Sequence, residues 1–218
     1  RMIREATRHD APLLIEMRDI PDRDVTEVTV CATDHPGLFS QIAGGLAIVG
    51  VNVVDARIHT MSHGIAIDTL HVQSAQAGPV ERPADRARVA SAIERAVTGE
   101  VWLTSELKKR PGPLPKRAKV FRVSPRVLVD NKASATNTVI EVNGLDRPGF
   151  LCDVTRELKN LGLQIHSAKI ATYGEMAVDV FYVKDVFGVK VDRDRKVKEI
   201  KDRLAKVISG EESAWEAA

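Results

Sequence analysis

Asp34-His35-Pro36-Gly37-Leu38-Phe39 returns 112 positions later as Asp146-Arg147-Pro148-Gly149-Phe150-Leu151. In each copy an alternating apolar run leads into the loop and an amphipathic helical run follows it. A Gly-aliphatic-amide tripeptide, Gly50-Val51-Asn52 or Gly162-Leu163-Gln164, then opens the next strand. A strand, loop, helix and strand repeated at this distance make two copies of one module. Length alone would also allow a single core in 218 residues, so the repeat decides.

The loop itself suggests a chemistry. Asp34 and Asp146 stand where a side-chain oxygen can cap the following helix, and Pro36 and Pro148 fall near its first position, where a missing N–H costs nothing. Gly37 and Gly149 leave the neighbouring backbone amides bare of a Cβ. Those amides and the positive end of the helix dipole form a site for a carboxylate or another small anion. An efficient turn and cap would explain one copy alone. Two copies in the same context favour the ligand.

Composition narrows the classes. With 44% hydrophobic and 28% charged residues the chain reads as globular, and 32 basic against 30 acidic residues exclude a general polyanion-binding field. Cys31 and Cys152 fall at unrelated places in the two copies, aligned with Asn143 and Ser40, so no disulfide is expected and a reducing compartment fits. No apolar run approaches the roughly 18 residues of a membrane span and no secretory leader is visible, which predicts a cytoplasmic protein without a membrane partner. The opening Arg1-Met2-Ile3-Arg4-Glu5-Ala6 is helical in pattern and lacks an initiator in first place, so residues 1–12 are expected to be the end of an upstream domain.

Along the chain, strands are expected at 13–17, 28–32, 51–60 and 65–73, with a turn-like segment at 20–24 and a helix after the Asp34 loop carrying Leu38, Ile42, Leu46 and Val49. A helix over 83–109 follows, with Val89, Ile93, Val97 and Val101 as its buried stripe, and Pro111-Gly112-Pro113-Leu114-Pro115 ends it. The second copy repeats this with strands at 127–129, 138–142, 163–172 and 176–184, a helix carrying Leu151, Val154, Leu158 and Leu161, and a last helix over 192–208. Nothing after Ile208 reads as a strand. Each module is therefore expected to carry its edge strand in front, giving a permuted ββαββα order; alternatively 120–129 closes the first module. The divisions are 13–110 for the first module, 111–119 for a linker, 120–209 for the second module and 210–218 for a tail.

The Asp-x-Pro-Gly loop, the tripeptide after the helix and the strand motif Ala66-Ile67-Asp68 or Ala177-Val178-Asp179 together resemble the ACT domain, a small regulatory module that often binds amino acids. The tandem arrangement, the preceding Arg4-Glu5-Ala6-Thr7-Arg8-His9 and the basic Pro-rich linker resemble the C-terminal region of the bifunctional uridylyltransferase/uridylyl-removing family, over nearly the whole chain. The resemblance implies an α+β fold of two ferredoxin-like modules, each a four-stranded antiparallel sheet with two helices on one face, paired sheet edge to sheet edge. It further implies a glutamine-sensing region controlling upstream nucleotidyltransferase and metal-dependent hydrolase domains that modify and demodify the PII protein in nitrogen regulation. Mg and a nucleotide would belong to those catalytic domains alone, and PII would be a partner through the parent enzyme. A stand-alone tandem regulator acting through protein contacts is the alternative.

For a glutamine-like ligand, the loop His35-Pro36-Gly37-Leu38 would offer amides to the α-carboxylate, Asp34 would receive the α-ammonium and Asn52 would pair with the side-chain amide. The equivalents are Asp146, the loop Arg147-Pro148-Gly149-Phe150, and Gln164. Gln164 departs from the asparagine common in ligand-binding ACT domains, which puts the second copy's binding in question.

Other signals are weaker. His59 and His63 bracket a hairpin turn without a third ligand in reach, so no metal is expected there. His35, His71 and His166 read as local hydrogen-bonding residues. Gly44-Gly45 lies inside a helix without a lysine-serine follower, so it is no phosphate loop. Lys108-Lys109-Arg110 and Lys116-Arg117-Ala118-Lys119 read as a helix end and a solvated linker. An RNA-binding module would need stacking aromatics on its central strands. Thr69, Leu70 and Val72 cannot stack, and only Phe181 and Tyr182 are present in the second copy, so no nucleic acid is expected. Asp68 and Asp179 share a strand face with Leu70 and Phe181, which is odd if that face is core.

Overall fold

A computed structural model of the chain describes residues 13–61, 64–74, 78–109, 125–173 and 175–210. The expected upstream helix, His63, the linker 111–119 with its basic cluster, Arg110, and residues 211–218 of the tail lie outside these residues.

The first half of the chain runs β1 (Leu13–Ile20), a 3-10 turn (Pro21–Arg23), β2 (Val25–Thr33), α1 (Leu38–Ile48), β3 (Asn52–Thr60), β4 (Ile65–Gln73), α2 (Pro83–Val97) and α3 (Leu103–Lys108). The second runs β5 (Arg126–Asp130), β6 (Thr138–Leu145), α4 (Phe150–Asn160), β7 (Leu163–Tyr173), β8 (Met176–Asp185) and α5 (Asp194–Ser209). All eight strands join one antiparallel sheet in the order β1-β2-β4-β3-β7-β8-β6-β5, which repeats the same half-order from either end. β1 pairs with β2 at one edge and β5 with β6 at the other. Segment β5 therefore belongs with the strands that follow it, not with those before.

The alternation of the strands fixes which face is covered. Ala66, Leu70 and Val72 of β4, and Ala177, Phe181 and Val183 of β8, point into a single cluster with Ile42 and Leu46 of α1, Ile93 of α2, Val154 and Leu158 of α4, and Ile200 and Leu204 of α5. The helices thus share one face of the sheet. At its middle, β3 meets β7 with Asp55 opposite Lys169, Ala56 opposite Ala168 and Arg57 opposite Ser167. Ala56 and Ala168 are equivalent residues of the repeat, so an approximate twofold axis passes between them.

Two expectations are corrected. The helix expected over 83–109 is interrupted: the Thr98 amide and hydroxyl both turn back to Glu94 O, and Gly99 takes φ +76°. The chain restarts as α3, so the described residues of the first half hold three helices, and the buried stripe of α2 is Val89, Ile93 and Ala96; Val97 and Val101 are only half-buried. The Gly44-Gly45 pair has a packing role. A Cβ on Gly45 would stand 2.8 Å from Ala92 O of α2, and one on Gly44 would stand 2.7 Å from Leu103 Cδ1 of α3 and 3.1 Å from Cys152 Sγ of α4. Only glycine lets α1 approach three neighbours so closely.

Candidate ligand clefts

The two loops are built differently from the capped helix starts expected of them. Neither Asp34 nor Asp146 caps a helix; the N-cap positions belong to Gly37 at φ 97° and Gly149 at φ 81°, without a side-chain cap bond. Pro36 and Pro148 accordingly sit in the turn ahead of each helix. The Asp34 amide donates to Gly64 O at 2.8 Å and its Oδ2 accepts from Thr60 Oγ1 at 3.0 Å, while the Asp146 amide donates to Glu175 O at 2.9 Å. Each aspartate ties its loop to the hairpin that follows the helix.

Part of the amide set is already spent. Leu38 N–H donates to His35 O at 3.1 Å and Phe150 N–H to Arg147 O at 2.9 Å, so these two leave the carboxylate scheme. One step further into each helix, the amides of Phe39 and Ser40, and of Leu151 and Cys152, donate to no backbone acceptor among the described residues.

Each loop opens on a cleft shared between the halves. The first holds about 360 Å³ and is lined by Asp34, His35, Pro36, Gly37 and Leu38, by Asp68 beneath them, and by Lys159, Gln164 and His166 from the second half. The second holds about 370 Å³ and is lined by Asp146, Arg147, Pro148, Gly149 and Phe150, by Glu175 and Asp179, and by Asn52 from the first half. The expected grouping is therefore crossed: Gln164 faces the Asp34 loop, and Asn52 faces the Asp146 loop. The cause is the β3–β7 junction. With the two strands antiparallel, the start of β3 lies beside the end of β7, where the β7–β8 hairpin holds the Asp146 loop.

The floors of both clefts are acidic and buried. Asp68 is 1% exposed with neither carboxylate oxygen hydrogen-bonded, and Asp179 is 1% exposed with Oδ1 unpartnered. Burial, with the Asp34 charge adding to it, pushes the Asp68 carboxyl up to about 7. Burial likewise raises Asp179 to about 7; a hydrogen bond from the Ala171 amide opposes this, and the Asp146 charge adds to it. Asp146 is itself raised by burial against the pull of Arg147, and His166 is lowered by burial and by Lys184 and His59. Burial pushes the Cys152 thiol up to about 12, which makes it a packing residue and no nucleophile. Arg147 pairs with Asp153 Oδ2 at 2.5 Å and lies 5.9 Å over the Phe150 ring, while Arg156 holds Asp153 Oδ1 at 2.6 Å. Among the described residues, no three His, Cys, Asp or Glu side chains gather to hold a metal ion.

Sequence reasoning left Asp68, Asp179, Lys159 and Glu175 out of the site. The two aspartates carried a signal, an acid facing inward at matching places in both copies. Lys159 carried none, since a lysine in the last turn of a helix is ordinary.

Residues 133–211 match the family described as the ACR family N-terminal ACT domain, a span that takes in β6 to α5 and leaves β5 outside. Over 210 residues the chain is 50% identical to the bifunctional uridylyltransferase/uridylyl-removing enzyme of Azospirillum brasilense, covering 96% of this chain and 22% of that one. It is 46% identical to the Rhodospirillum rubrum enzyme of that name over 96% of this chain and 22% of the relative. The Gluconobacter oxydans enzyme is 45% identical over 94% and 22%. Against solved structures, an unknown protein from Galdieria sulphuraria aligns with 84% of this chain and 91% of its own at 17% identity and a TM-score of 0.25. The chain spans about a fifth of the length of the curated relatives it matches. It belongs to the bifunctional uridylyltransferase/uridylyl-removing enzyme family over that fifth, and carries an ACT domain at residues 133–211.

Proposed function

We propose that the chain is the amino-acid-sensing regulatory region of a PII-modifying uridylyltransferase/uridylyl-removing enzyme, built as two ferredoxin-like ACT modules of ββαββα order, with glutamine as its first candidate ligand. It performs no catalysis itself. The Mg and nucleotide chemistry belongs to catalytic domains elsewhere in such an enzyme, and the described residues bring together no carboxylate set for a metal. The proposed setting is the cytoplasm; no helix among the described residues is long and apolar enough to cross a membrane.

The observation that carries this reading is the crossed construction of the clefts. A ligand held by the loop of one half and the strand start of the other touches both halves at once, so its binding favours one relative placement of the two. Only such differential affinity can bias a distant catalytic domain.

The test is a thermal-shift and calorimetric titration of the chain with each of the twenty amino acids. At a ligand concentration a hundred times Kd, binding adds about 2.7 kcal/mol. For a chain of this size that raises Tm by roughly 5–10 °C. Glutamine is expected to give the largest shift. A flat response to all twenty would end the sensing proposal.

A further inference from the structure

The duplicated clefts differ where a zwitterion would feel it. Over the Asp34 loop lies the Lys159 side chain, with Cδ 3.1 Å and Nζ 3.4 Å from the place a Cβ on Gly37 would occupy. Nζ has no ion-pair or hydrogen-bond partner among the described residues. Its counterpart in the repeat is Ala47, so the Asp146 cleft has no such cation. Arg147 on that side is committed to Asp153. What lies over Gly149 is Leu107, buried, with Cδ1 2.9 Å from the corresponding Cβ position. Leu107 comes from α3, which has no equivalent among the described residues of the second half. The floors differ too, since Asp68 has both oxygens unpartnered while Asp179 receives the Ala171 amide.

We propose that the clefts are inequivalent: the Asp34 cleft takes one free α-amino acid, its carboxylate on the Lys159 ammonium and the open amides of Phe39 and Ser40, its ammonium on the Asp68 carboxylate, and the Asp146 cleft takes none. This rests on the amino-acid reading above and adds which cleft binds and through which charges. A buried carboxylate with no partner is costly, and a ligand ammonium supplies the missing charge and donors together. The Lys159 stem is flexible and can swing off Gly37 to meet a carboxylate, whereas Leu107 is packed in place. In the Asp146 cleft a ligand carboxylate would face Asp146, Glu175 and Asp179 with the nearest cation already paired.

The experiment is calorimetry of the whole 218-residue chain with L-glutamine, comparing the parent with Lys159→Met, Lys159→Arg, Asp68→Asn and Asp179→Asn. The parent is expected to bind one equivalent. Loss of the charge in Lys159→Met should weaken binding about tenfold or more, and Lys159→Arg should recover most of it. Asp68→Asn should weaken it as much, and Asp179→Asn by less than about twofold. Two equal sites, an unaffected Lys159→Met, or equal losses for the two aspartates would overturn the inequivalence while leaving amino-acid binding in place. Should Asp68→Asn not fold, Lys159→Met decides, since its side chain is exposed. A parent that binds none of the twenty amino acids overturns the underlying reading and this inference with it.

Discussion

A carboxylate that is 1% exposed and touches no donor is an expensive residue to keep, and Asp68 is kept on a strand face otherwise made of Ala66, Leu70 and Val72. Its proton is the cheapest remedy, which is why burial raises the carboxyl to about 7. Between about pH 4 and 7 the unfolded chain has given up this proton and the folded chain still holds it, so Asp68's contribution falls as pH rises through that window and is lost above 7. Asp68→Asn removes the ionisation while keeping the shape. We expect the variant to lie about 1–3 kcal/mol below the parent near pH 4, where its amide is left short of partners, and to gain about 4 kcal/mol on the parent between pH 4 and 8. Urea midpoints across pH 4–8 measure this, and a constant difference between the two proteins would show that Asp68 does not titrate in the window.

At the scale of elements, the repeat extends to a lock that the loop motif did not reveal. Thr26 and Thr138 are fully buried at equivalent places in β2 and β6. Thr26 Oγ1 donates to Asp19 Oδ1 at 3.0 Å and accepts the Val80 amide at 2.8 Å; Thr138 Oγ1 donates to Asn131 Oδ1 at 2.7 Å and accepts the Val191 amide at 2.8 Å. In each half one hydroxyl ties the front edge strand to the segment that enters the last long helix, and Arg86 adds an ion pair to Asp19 in the first. Thr138→Val keeps the volume but strands the buried Val191 amide and the half-buried Asn131 side-chain oxygen. The expected loss is about 1–3 kcal/mol in a denaturant melt, and Thr138→Ser, which keeps the hydroxyl, should lose much less. An unchanged midpoint in the valine variant would mean that the hydroxyl contributes nothing to holding β5. Threonine at a strand start reads in sequence as β-propensity alone, so this lock could not be seen without its partners. The Gly44-Gly45 approach was hidden for the same reason: one helix pattern does not say what crosses it.

At the scale of the molecule, strand positions were legible because alternation and terminating glycines are local signals, as at Ile65–Gln73, and duplication at a fixed interval exposed the repeated order. The junction was not legible. Ala56 and Ala168 meet through backbone hydrogen bonds between strand edges, and nothing in Asp55-Ala56-Arg57 distinguishes an edge that pairs with its twin from one left open. Without that junction Asn52 and Gln164 could only be grouped with the loops of their own halves, and the crossing of the clefts was lost. The same junction predicts how the chain unfolds. The sheet runs unbroken through β3 and β7, α1 packs on α4 above it, and the buried residues of both halves form one cluster. Separating the halves would expose Ala56 and Ala168, each 1% exposed, and the α1–α4 contact where Cys152 meets Gly44. Neither half can then melt without uncovering the other's core. Scanning calorimetry should show one transition whose van't Hoff and calorimetric enthalpies agree, at about 150 kcal/mol for 218 residues at about 0.7 kcal/mol per residue. Two resolved transitions of about half that enthalpy would show that the β3–β7 junction is too weak to couple the halves, and a ligand bridging them would then have to supply the coupling itself.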